Sequence, residues 1–304
     1  MTAIDDRPVP ALAGLINLLE LEITGGCQLT CTHCLAESSP QGTHGTMTLD
    51  NWRTVINDAA ALDIATIQLI GGEPTLYPHW TELVDLALRL GRKVEVYSNL
   101  FHVRPQWWDV FTREGVSLGT SYYSDRPEEH DEITQRKGGY HRTRANIAEA
   151  VRRGIPLRAG IVHVNEGQRV AEARAELVSL GVKRIGTDRV RAVGRAATTI
   201  PSVTELCGRC GDGRAAVLPD GSLSLCVLSR FMPCANVREK RLAEIFSSPE
   251  WKAAVDSIPR PRLGACGPDD SDACDPSNNA CEPTDDQGVE TWTGNNTPPS
   301  SPTR

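Results

Sequence analysis

The chain has 304 residues, of which 39% are apolar, and its formal net charge is −7. This length suits one barrel-sized domain, or a large domain with a small one. The negative charge argues against a nucleic-acid-binding protein, which usually presents a basic face. The first ten residues lack the order of a signal peptide, and no apolar run reaches membrane-spanning length. We therefore expect a cytoplasmic protein without a nucleic-acid or membrane partner.

Ten cysteines fall into an early and a late group, and in a reducing cytoplasm thiols serve metals or catalysis more often than disulfides. Cys27, Cys31 and Cys34 follow an alternating apolar run over residues 19–23 that predicts a strand. This Cys-x3-Cys-x2-Cys spacing lets a loop bring three sulfurs to one four-iron cluster, which leaves one iron without a protein ligand. A small molecule can chelate an iron that has an open coordination position. A zinc knuckle or buried free cysteines are the alternatives.

After this loop the pattern alternates between helices and strands. Thr48 can cap a helix, because apolar residues recur at helical spacing from Leu49 to Ala59. Further strands are predicted over residues 64–70, 93–98, 117–123, 157–164 and 182–187, and helices over residues 80–90, 106–113, 142–153 and 170–180. Six strands with helical crossovers predict an α/β fold, a partial (β/α)6 TIM-like barrel. Ligands are then expected at the C-terminal strand ends.

The loop after the second strand reads Gly71-Gly72-Glu73-Pro74. Paired glycines let the backbone approach a ligand closely, and Pro74 stiffens the turn. The Glu73 carboxylate and the unpaired carbonyls of such a loop suit an ammonium group. By itself the tetrapeptide could equally be an ordinary strand-to-helix turn.

Together, Cys-x3-Cys-x2-Cys and Gly-Gly-Glu-Pro resemble the signature of the radical S-adenosylmethionine (SAM) superfamily. The resemblance implies that Cys27, Cys31 and Cys34 hold a 4Fe-4S cluster and that Gly71-Gly72-Glu73-Pro74 holds the amino group of SAM. It also implies reductive cleavage of SAM to a 5'-deoxyadenosyl radical that takes hydrogen from a substrate. The electron would come from an external donor such as flavodoxin or ferredoxin.

Further SAM contacts are suggested by other strand-end residues. His33 occupies the place of the family's aromatic residue that covers the adenine. Ser98 and Asn99 could hydrogen-bond the ribose or the methionine carboxylate, or simply cap the next turn. Ser121 and Ser124 resemble the ribose contacts that the family places after its fourth strand.

The late cysteines begin with Cys207-Gly-Arg-Cys210, followed by a hairpin signal at Pro219-Asp220-Gly221 and by Cys226. Predicted helices follow over residues 242–246 and after Ser248. This order resembles the SPASM or twitch extensions of radical SAM enzymes, which carry auxiliary iron-sulfur clusters. The resemblance implies one or two such clusters, with the candidate ligands Cys207, Cys210, Cys226, Cys266, Cys274 and Cys281. A zinc site or a poorly ordered cysteine tail is the alternative, and Cys234 is a candidate free thiol that could donate hydrogen.

We predict an N-terminal segment over residues 1–15, the barrel over 16–195, a small cysteine-rich α+β extension over 196–283 and a polar, disordered tail over 284–304. The resemblance favours an enzyme that matures a ribosomally made peptide by crosslinking or epimerisation. A radical SAM dehydrogenase of amino sugars or alcohols is the alternative enzyme, and a non-catalytic metal-binding structural protein is the alternative of another class. Too few residues precede Leu18 for a leader-binding domain, so a leader would dock on the barrel rim or on a separate protein.

Overall fold

The computed structural model describes residues 16–259. Within this range the strands are β1 (Ile16–Thr24), β2 (Thr66–Gly71), β3 (Lys93–Tyr97), β4 (Val116–Tyr122), β5 (Leu157–His163), β6 (Arg184–Arg189), β7 (Gly213–Val217), β8 (Ser222–Ser224) and β9 (Ala235–Asn236). The helices are α1 (Leu49–Ala61), α2 (Trp80–Arg89), α3 (Trp107–Phe111), α4 (Pro127–Thr134), α5 (Gly139–Arg152), α6 (Val170–Ser179), α7 (Leu242–Phe246) and α8 (Pro249–Asp256).

All strands join one sheet in the order β6-β5-β4-β3-β2-β1-β7-β8-β9. Neighbours from β1 to β6 are parallel, as expected for strands joined by helical crossovers. The sheet has two ends and does not close, which confirms the predicted partial barrel. The predicted barrel strands and crossover helices are present, with ends shifted by no more than three residues.

The late hairpin extends the barrel sheet rather than forming a separate one. β7 pairs in parallel with β1, and β8 and β9 continue the sheet with antiparallel pairing. The second cysteine group is therefore attached directly to the strand that leads into the first. The predicted boundary at residue 195 remains a prediction, and Cys266, Cys274, Cys281 and both chain ends lie outside the described residues.

Two predicted helix starts have the expected caps. The Thr48 hydroxyl accepts a hydrogen bond from the Asn51 backbone N–H, and the Asn51 side chain accepts one from the Thr48 N–H. Ser248 accepts from the N–H of Trp251 and precedes Pro249 at the first position of α8. Each cap contributes about 1 kcal/mol to helix stability.

Helix α4 and the first turn of α5 were missed by the sequence prediction. The buried positions of α4 are His130, Ile133 and Thr134, so only one of them is apolar and the helical pattern is hidden. The usable signal was Pro127 followed by two acidic residues, which is typical of a helix N-terminus. None of the helices within residues 16–259 is long and apolar enough to cross a membrane.

Strand β1 is buried on both faces, but the two faces differ in chemistry. Leu19, Leu21 and Ile23 are fully buried in the main hydrophobic core. Glu20 and Glu22 alternate with them and are also buried. Because successive side chains of a strand point to opposite faces, the apolar set packs in that core and the two carboxylates face the interior of the barrel.

Candidate metal and cofactor site

Residues from both cysteine groups line one cavity of about 240 Å³ inside the barrel. The first group contributes Cys27, Cys31 and Cys34, and the second contributes Cys207 and Cys226. The structure thus brings together side chains that are about 180 residues apart in the sequence. A ligand bound in this cavity would therefore lie beside cysteines of both groups.

The loop after β1 holds its cysteines through backbone hydrogen bonds. The Cys27 N–H donates to the carbonyl of Ser39 at 2.9 Å. The N–H of Leu29 donates to the Cys27 sulfur, and the N–H of Ser38 donates to the Cys34 sulfur, each at 3.4 Å. Such N–H···S contacts stabilise thiolates and tune the reduction potential of a cluster bound to them.

The chemistry of these donors fits an iron-sulfur cluster. None of the cysteines within residues 16–259 forms a disulfide. Burial raises the pKa of Cys31 to about 12 and raises the pKa of Cys27 further, so these thiols need a nearby cation to ionise. No group of His, Cys, Asp or Glu within the described range is arranged to hold a single metal ion. A four-iron cluster instead bonds each cysteine to a different iron.

The paired glycines allow two strand-end loops to touch. The Gly72 N–H donates to the carbonyl of Thr24 at 2.7 Å, and the Glu73 N–H donates to the carbonyl of Gly26 at 2.8 Å. A Cβ on Gly72 would lie only 2.2 Å from the Gly26 oxygen. The glycines therefore lock the second loop onto the cysteine loop, and Gly71 and Gly72 both line the cavity.

Glu73 organises the next strand end. Its carboxylate is fully buried and accepts hydrogen bonds from the Thr75 hydroxyl at 2.7 Å, the Ser98 hydroxyl at 2.9 Å and the Asn99 N–H at 3.0 Å. Glu73, Pro74 and Ser98 do not line the cavity, whereas Asn99 does. The Asn99 side chain donates to the Cys27 sulfur at 3.5 Å. Glu73 thus holds the backbone of Asn99, and its predicted contact with SAM remains a prediction.

The other predicted SAM contacts are divided between the cavity and its surroundings. His33 and Ser121 line the cavity, and the His33 ring packs edge-on against Tyr123 at 5.1 Å. Burial lowers the pKa of His33 to about 4, so its ring is neutral near pH 7. Ser124 is buried outside the lining, where its hydroxyl accepts from the N–H of Arg126 at the start of α4.

Arg195 is a site residue that sequence reasoning missed. Its guanidinium donates to the carbonyls of Cys31 and Ser38, the latter at 2.8 Å, and its N–H donates to the carbonyl of Cys34 at 3.0 Å. Gly194 has a φ of +61°, and a Cβ there would lie 2.3 Å from the Leu35 oxygen. The Gly194-Arg195 turn therefore clamps the cysteine loop. In the sequence, the Gly-Arg pair was the one available sign of this turn.

The wall of the cavity that lies inside the barrel is charged. Arg158 on β5 forms two hydrogen bonds of 2.7 Å with the buried Glu95 carboxylate on β3. Glu20 accepts from the N–H of Val227 through Oε2, and its Oε1 has no hydrogen-bond partner among residues 16–259. Because Glu20 and Arg158 line the cavity, the wall offers hydrogen-bonding groups to a ligand. The sequence did contain a signal for this wall, because charged residues alternate with apolar residues in the predicted strands, but the sequence interpretation did not use it.

Two sulfurs of the second cysteine group are in contact. The Cys210 and Cys226 sulfurs lie 3.2 Å apart, and hydrogen bonds to Cys207 and Cys226 raise the pKa of Cys210. Cys234 lies elsewhere: its thiol donates to the Leu223 carbonyl on β8 at 3.3 Å and does not line the cavity. A hydrogen donor must reach the substrate, so this placement gives the predicted role of Cys234 no support.

An open parallel α/β barrel with a three-cysteine loop after its first strand defines a cofactor-dependent enzyme fold. Residues 21–178, rather more than half of the chain, match the model of the Radical SAM superfamily, and residues 207–275 match SPASM, an iron-sulfur cluster-binding domain. The chain belongs to the Radical SAM superfamily and carries a SPASM domain. Its cofactors are accordingly S-adenosylmethionine and iron-sulfur clusters.

Two curated proteins and one solved structure illustrate the similarity. PqqA peptide cyclase of Ruegeria pomeroyi is 30% identical, with 54% of this chain and 44% of the relative covered. The sporulation killing factor maturation protein SkfB of Bacillus subtilis is 28% identical, with 63% and 48% covered. The chain thus spans less than half the length of either relative.

The solved structure shares the fold. Streptococcus suis SuiB bound to its precursor peptide SuiA has a TM-score of 0.68 at 13% identity, with 80% of this chain and 67% of that chain covered.

Proposed function

We propose that this protein is a radical SAM enzyme that matures a ribosomally made peptide. The observation that carries the proposal is the single cavity lined by both cysteine groups, because it gives a substrate access to two redox centres at once. Two relatives are named a peptide cyclase and a maturation protein, and one protein with the same fold binds a precursor peptide. These names support a peptide substrate for this chain.

In this proposal Cys27, Cys31 and Cys34 hold the cluster that binds SAM. Gly71, Gly72, Asn99, His33 and Ser121 border the space that SAM takes. When bound, the cofactor supplies hydrogen-atom abstraction from an unactivated carbon. The protein itself contributes a fixed geometry and a buried site that excludes water.

The charged wall gives the substrate its anchor. Oε1 of Glu20 is buried and can accept a hydrogen bond from an amide or ammonium of the substrate. Arg158 is already held in place by Glu95, so its side chain loses little conformational entropy when a substrate binds. A peptide, with an N–H donor at nearly every residue, suits such a wall.

Cys207, Cys210 and Cys226, together with Cys266, Cys274 and Cys281 outside the described residues, would hold one or two auxiliary clusters. A crosslink or desaturation removes two electrons and two protons from the peptide. One electron and one proton would leave together as the abstracted hydrogen atom, an auxiliary cluster next to the cavity would take the second electron, and a carboxylate of the cavity wall would take the second proton. An acidic one-electron carrier, such as a flavodoxin or a ferredoxin, would reduce the first cluster.

The test uses short peptides encoded by reading frames found next to the gene. The reconstituted enzyme is incubated with each peptide, SAM and dithionite in deuterated water, and the peptide is then weighed by mass spectrometry. A crosslink or desaturation makes the peptide lighter by two hydrogens, and an epimerisation introduces one deuteron. The variant with Cys27, Cys31 and Cys34 changed to Ala is the control and should leave the peptide unmodified. An untouched peptide together with oxidation of an amino sugar would contradict the peptide assignment.

A further inference from the structure

The outer side of the first cysteine loop carries an unusual cluster of positive charge. Phe101, in the loop after β3, is buried in a small cluster with Cys27 and Leu29. The guanidinium of Arg136 lies 5.2 Å from the centre of the Phe101 ring, and that of Arg142 lies 4.8 Å from it. Both arginines are exposed and lie over an aromatic ring that belongs to the same hydrophobic cluster as Cys27.

In the described part of the chain, the two arginines of this surface have no carboxylate in direct contact, although Asp131 and Glu132 precede them at the end of α4. Within residues 16–259 neither Arg136 nor Arg142 forms an ion pair. Residues 135–142 also contain Lys137 and His141 and no carboxylate, in a chain whose net charge is −7. We call residues 135–142 with Phe101 the basic corner. Two like charges on one ring repel each other, and each contact with the ring returns only about 0.5–1 kcal/mol at an exposed site.

The basic corner is built as part of the cysteine loop. The Asp131 carboxylate accepts from the N–H groups of Gly138 and Tyr140, the latter at 2.8 Å, and thereby fixes the turn between α4 and α5. The N–H groups of Thr30 and Thr32, within the cysteine loop, donate to carbonyls at the end of α4 at 3.3 and 3.0 Å. The corner and the cysteines therefore keep a fixed relative position.

The corner also has a short route to the Cys27 sulfur. The Phe101 N–H donates to the Asn99 side-chain oxygen at 2.8 Å, and the amide nitrogen of that same side chain donates to the Cys27 sulfur at 3.5 Å. Phe101, Arg136 and Arg142 are not part of the cavity lining. A partner on this surface thus comes within one side chain of a cluster ligand without entering the substrate cavity.

We propose that the basic corner is the docking surface for an acidic one-electron carrier protein of the flavodoxin or ferredoxin class. This inference rests on the proposed function, because it assigns the entry point of the electron that the function requires. The carrier would give up one electron at each encounter, and the cluster that Cys27, Cys31 and Cys34 would hold would accept it. A peptide leader would also be attracted by positive charge, but Phe101, Arg136 and Arg142 do not line the cavity in which the peptide reacts.

The test compares two double variants that change the net charge equally. Arg136→Glu/Arg142→Glu reverses the basic corner. Arg89→Glu/Lys93→Glu reverses two exposed residues, one at the end of α2 and one at the start of β3, whereas the cysteine loop follows the C-terminal end of β1. A purified bacterial flavodoxin is the probe, and its binding is measured by calorimetry at low and at high salt. Formation of 5'-deoxyadenosine is then measured with reduced flavodoxin and, separately, with dithionite.

We expect the corner variant to bind flavodoxin roughly ten-fold more weakly and to lose a similar factor of flavodoxin-driven cleavage at low salt. Its dithionite-driven rate should stay within about two-fold of the wild-type rate, because a small reductant needs no docking surface. The control variant should match the wild type in both assays. High salt should weaken binding of the wild type and narrow the difference from the corner variant.

Several results would overturn the proposal. One is wild-type protein that does not bind flavodoxin, and another is equal flavodoxin binding by all three proteins. A third is a corner variant whose flavodoxin-driven and dithionite-driven cleavage rates fall equally, which would assign the surface to folding or to the peptide. The milder Arg136→Gln/Arg142→Gln variant should show a smaller loss of the same kind and separates charge from misfolding. Failure of the wild type to cleave SAM with dithionite would contradict the proposed function, whereas the binding measurement would still decide the docking surface.

Discussion

The two cysteine groups share one cavity but are built in different ways. Around the first group, three strand-end loops and the Gly194-Arg195 turn hold the backbone, and two of its sulfurs accept separate N–H donors. In the second group the sulfurs of Cys210 and Cys226 contact each other, and the remaining candidate ligands lie outside the described residues. The first site is thus held by loops from several strand ends, while Cys226 of the second is held by Ser224 and Ser229, which are close to it in the chain.

The largest expected effect separates the two groups directly. Changing Cys27, Cys31 and Cys34 to Ala should abolish reductant-dependent formation of 5'-deoxyadenosine. Changing Cys207, Cys210 and Cys226 to Ala should preserve this cleavage and lower only the iron and sulfide content, because the SAM-facing residues all surround the first group. Product chromatography and metal analysis measure both quantities. Equal loss of cleavage in the two triple variants would remove the distinction.

The next effect concerns the clamp on the first group. Arg195→Met removes the donors to the carbonyls of Cys31 and Ser38, and a small displacement of a reacting group can cost one to two orders of magnitude in rate. We expect SAM cleavage to fall by roughly ten-fold or more, together with weaker iron retention.

Two matched variants make this test specific. Arg195→Lys should rescue only part of the loss, because an ammonium cannot span two carbonyls as a guanidinium does. Arg113→Met removes an exposed ion pair with Asp85 and should have no effect. Wild-type cleavage by Arg195→Met would exclude the clamp.

A third prediction tests whether backbone contact shapes the first site. Gly72→Ala would force a methyl group to 2.2 Å from the Gly26 oxygen, and overpacking of this kind costs about 1–3 kcal/mol of unfolding free energy. Gly91→Ala is the control, because its Cβ would meet nothing within 4 Å and the only cost is the positive φ of +74°, about 1 kcal/mol. Denaturant unfolding measures both. SAM cleavage should fall only in Gly72→Ala, and an equal loss in the two variants would refute the contact.

The last prediction concerns stability alone and leaves SAM cleavage near pH 7 unaffected. It is a dependence of stability on pH that belongs to the barrel, since no histidine follows His163. Burial lowers the pKa of His130 from 6.5 to about 4 despite the nearby carboxylates of Asp131 and Glu176. Between pH 6.5 and about 4 the unfolded chain binds a proton at His130, whereas the folded chain does not. The contribution of neutral His130 to the free energy of unfolding is therefore complete above pH 6.5 and is lost as the pH falls towards 4. This amounts to at most roughly 3 kcal/mol.

The variant His130→Phe should reduce that loss while keeping the ring contacts with Tyr122, Tyr123 and Tyr140. Denaturant unfolding at about pH 7 and about pH 5 measures the change. An unchanged pH dependence in this variant would mean that other groups govern acid sensitivity.

The sequence by itself determined the order of strands and helices, the cysteine loop, the hairpin at Pro219-Asp220-Gly221 and the caps at Thr48 and Ser248. These features depend on residues close together in the chain: side-chain periodicity, turn chemistry and local hydrogen bonds. Helix α4 escaped because two of its three buried positions are His130 and Thr134, which periodicity does not count as apolar.

Only the tertiary structure decided which distant residues meet. The pairing of β7 with β1 brings the second cysteine group to the same cavity as the first. Arg195 follows β6, which lies at one end of the sheet, and yet it contacts the cysteine loop that follows β1. The tertiary structure also showed a contact of Glu73 that no sequence pattern indicated, the hydrogen bond from the Asn99 N–H to its carboxylate. The physical reason is that such contacts depend on strand order and register across the sheet, whereas a sequence pattern reports only which face of its own element a residue occupies.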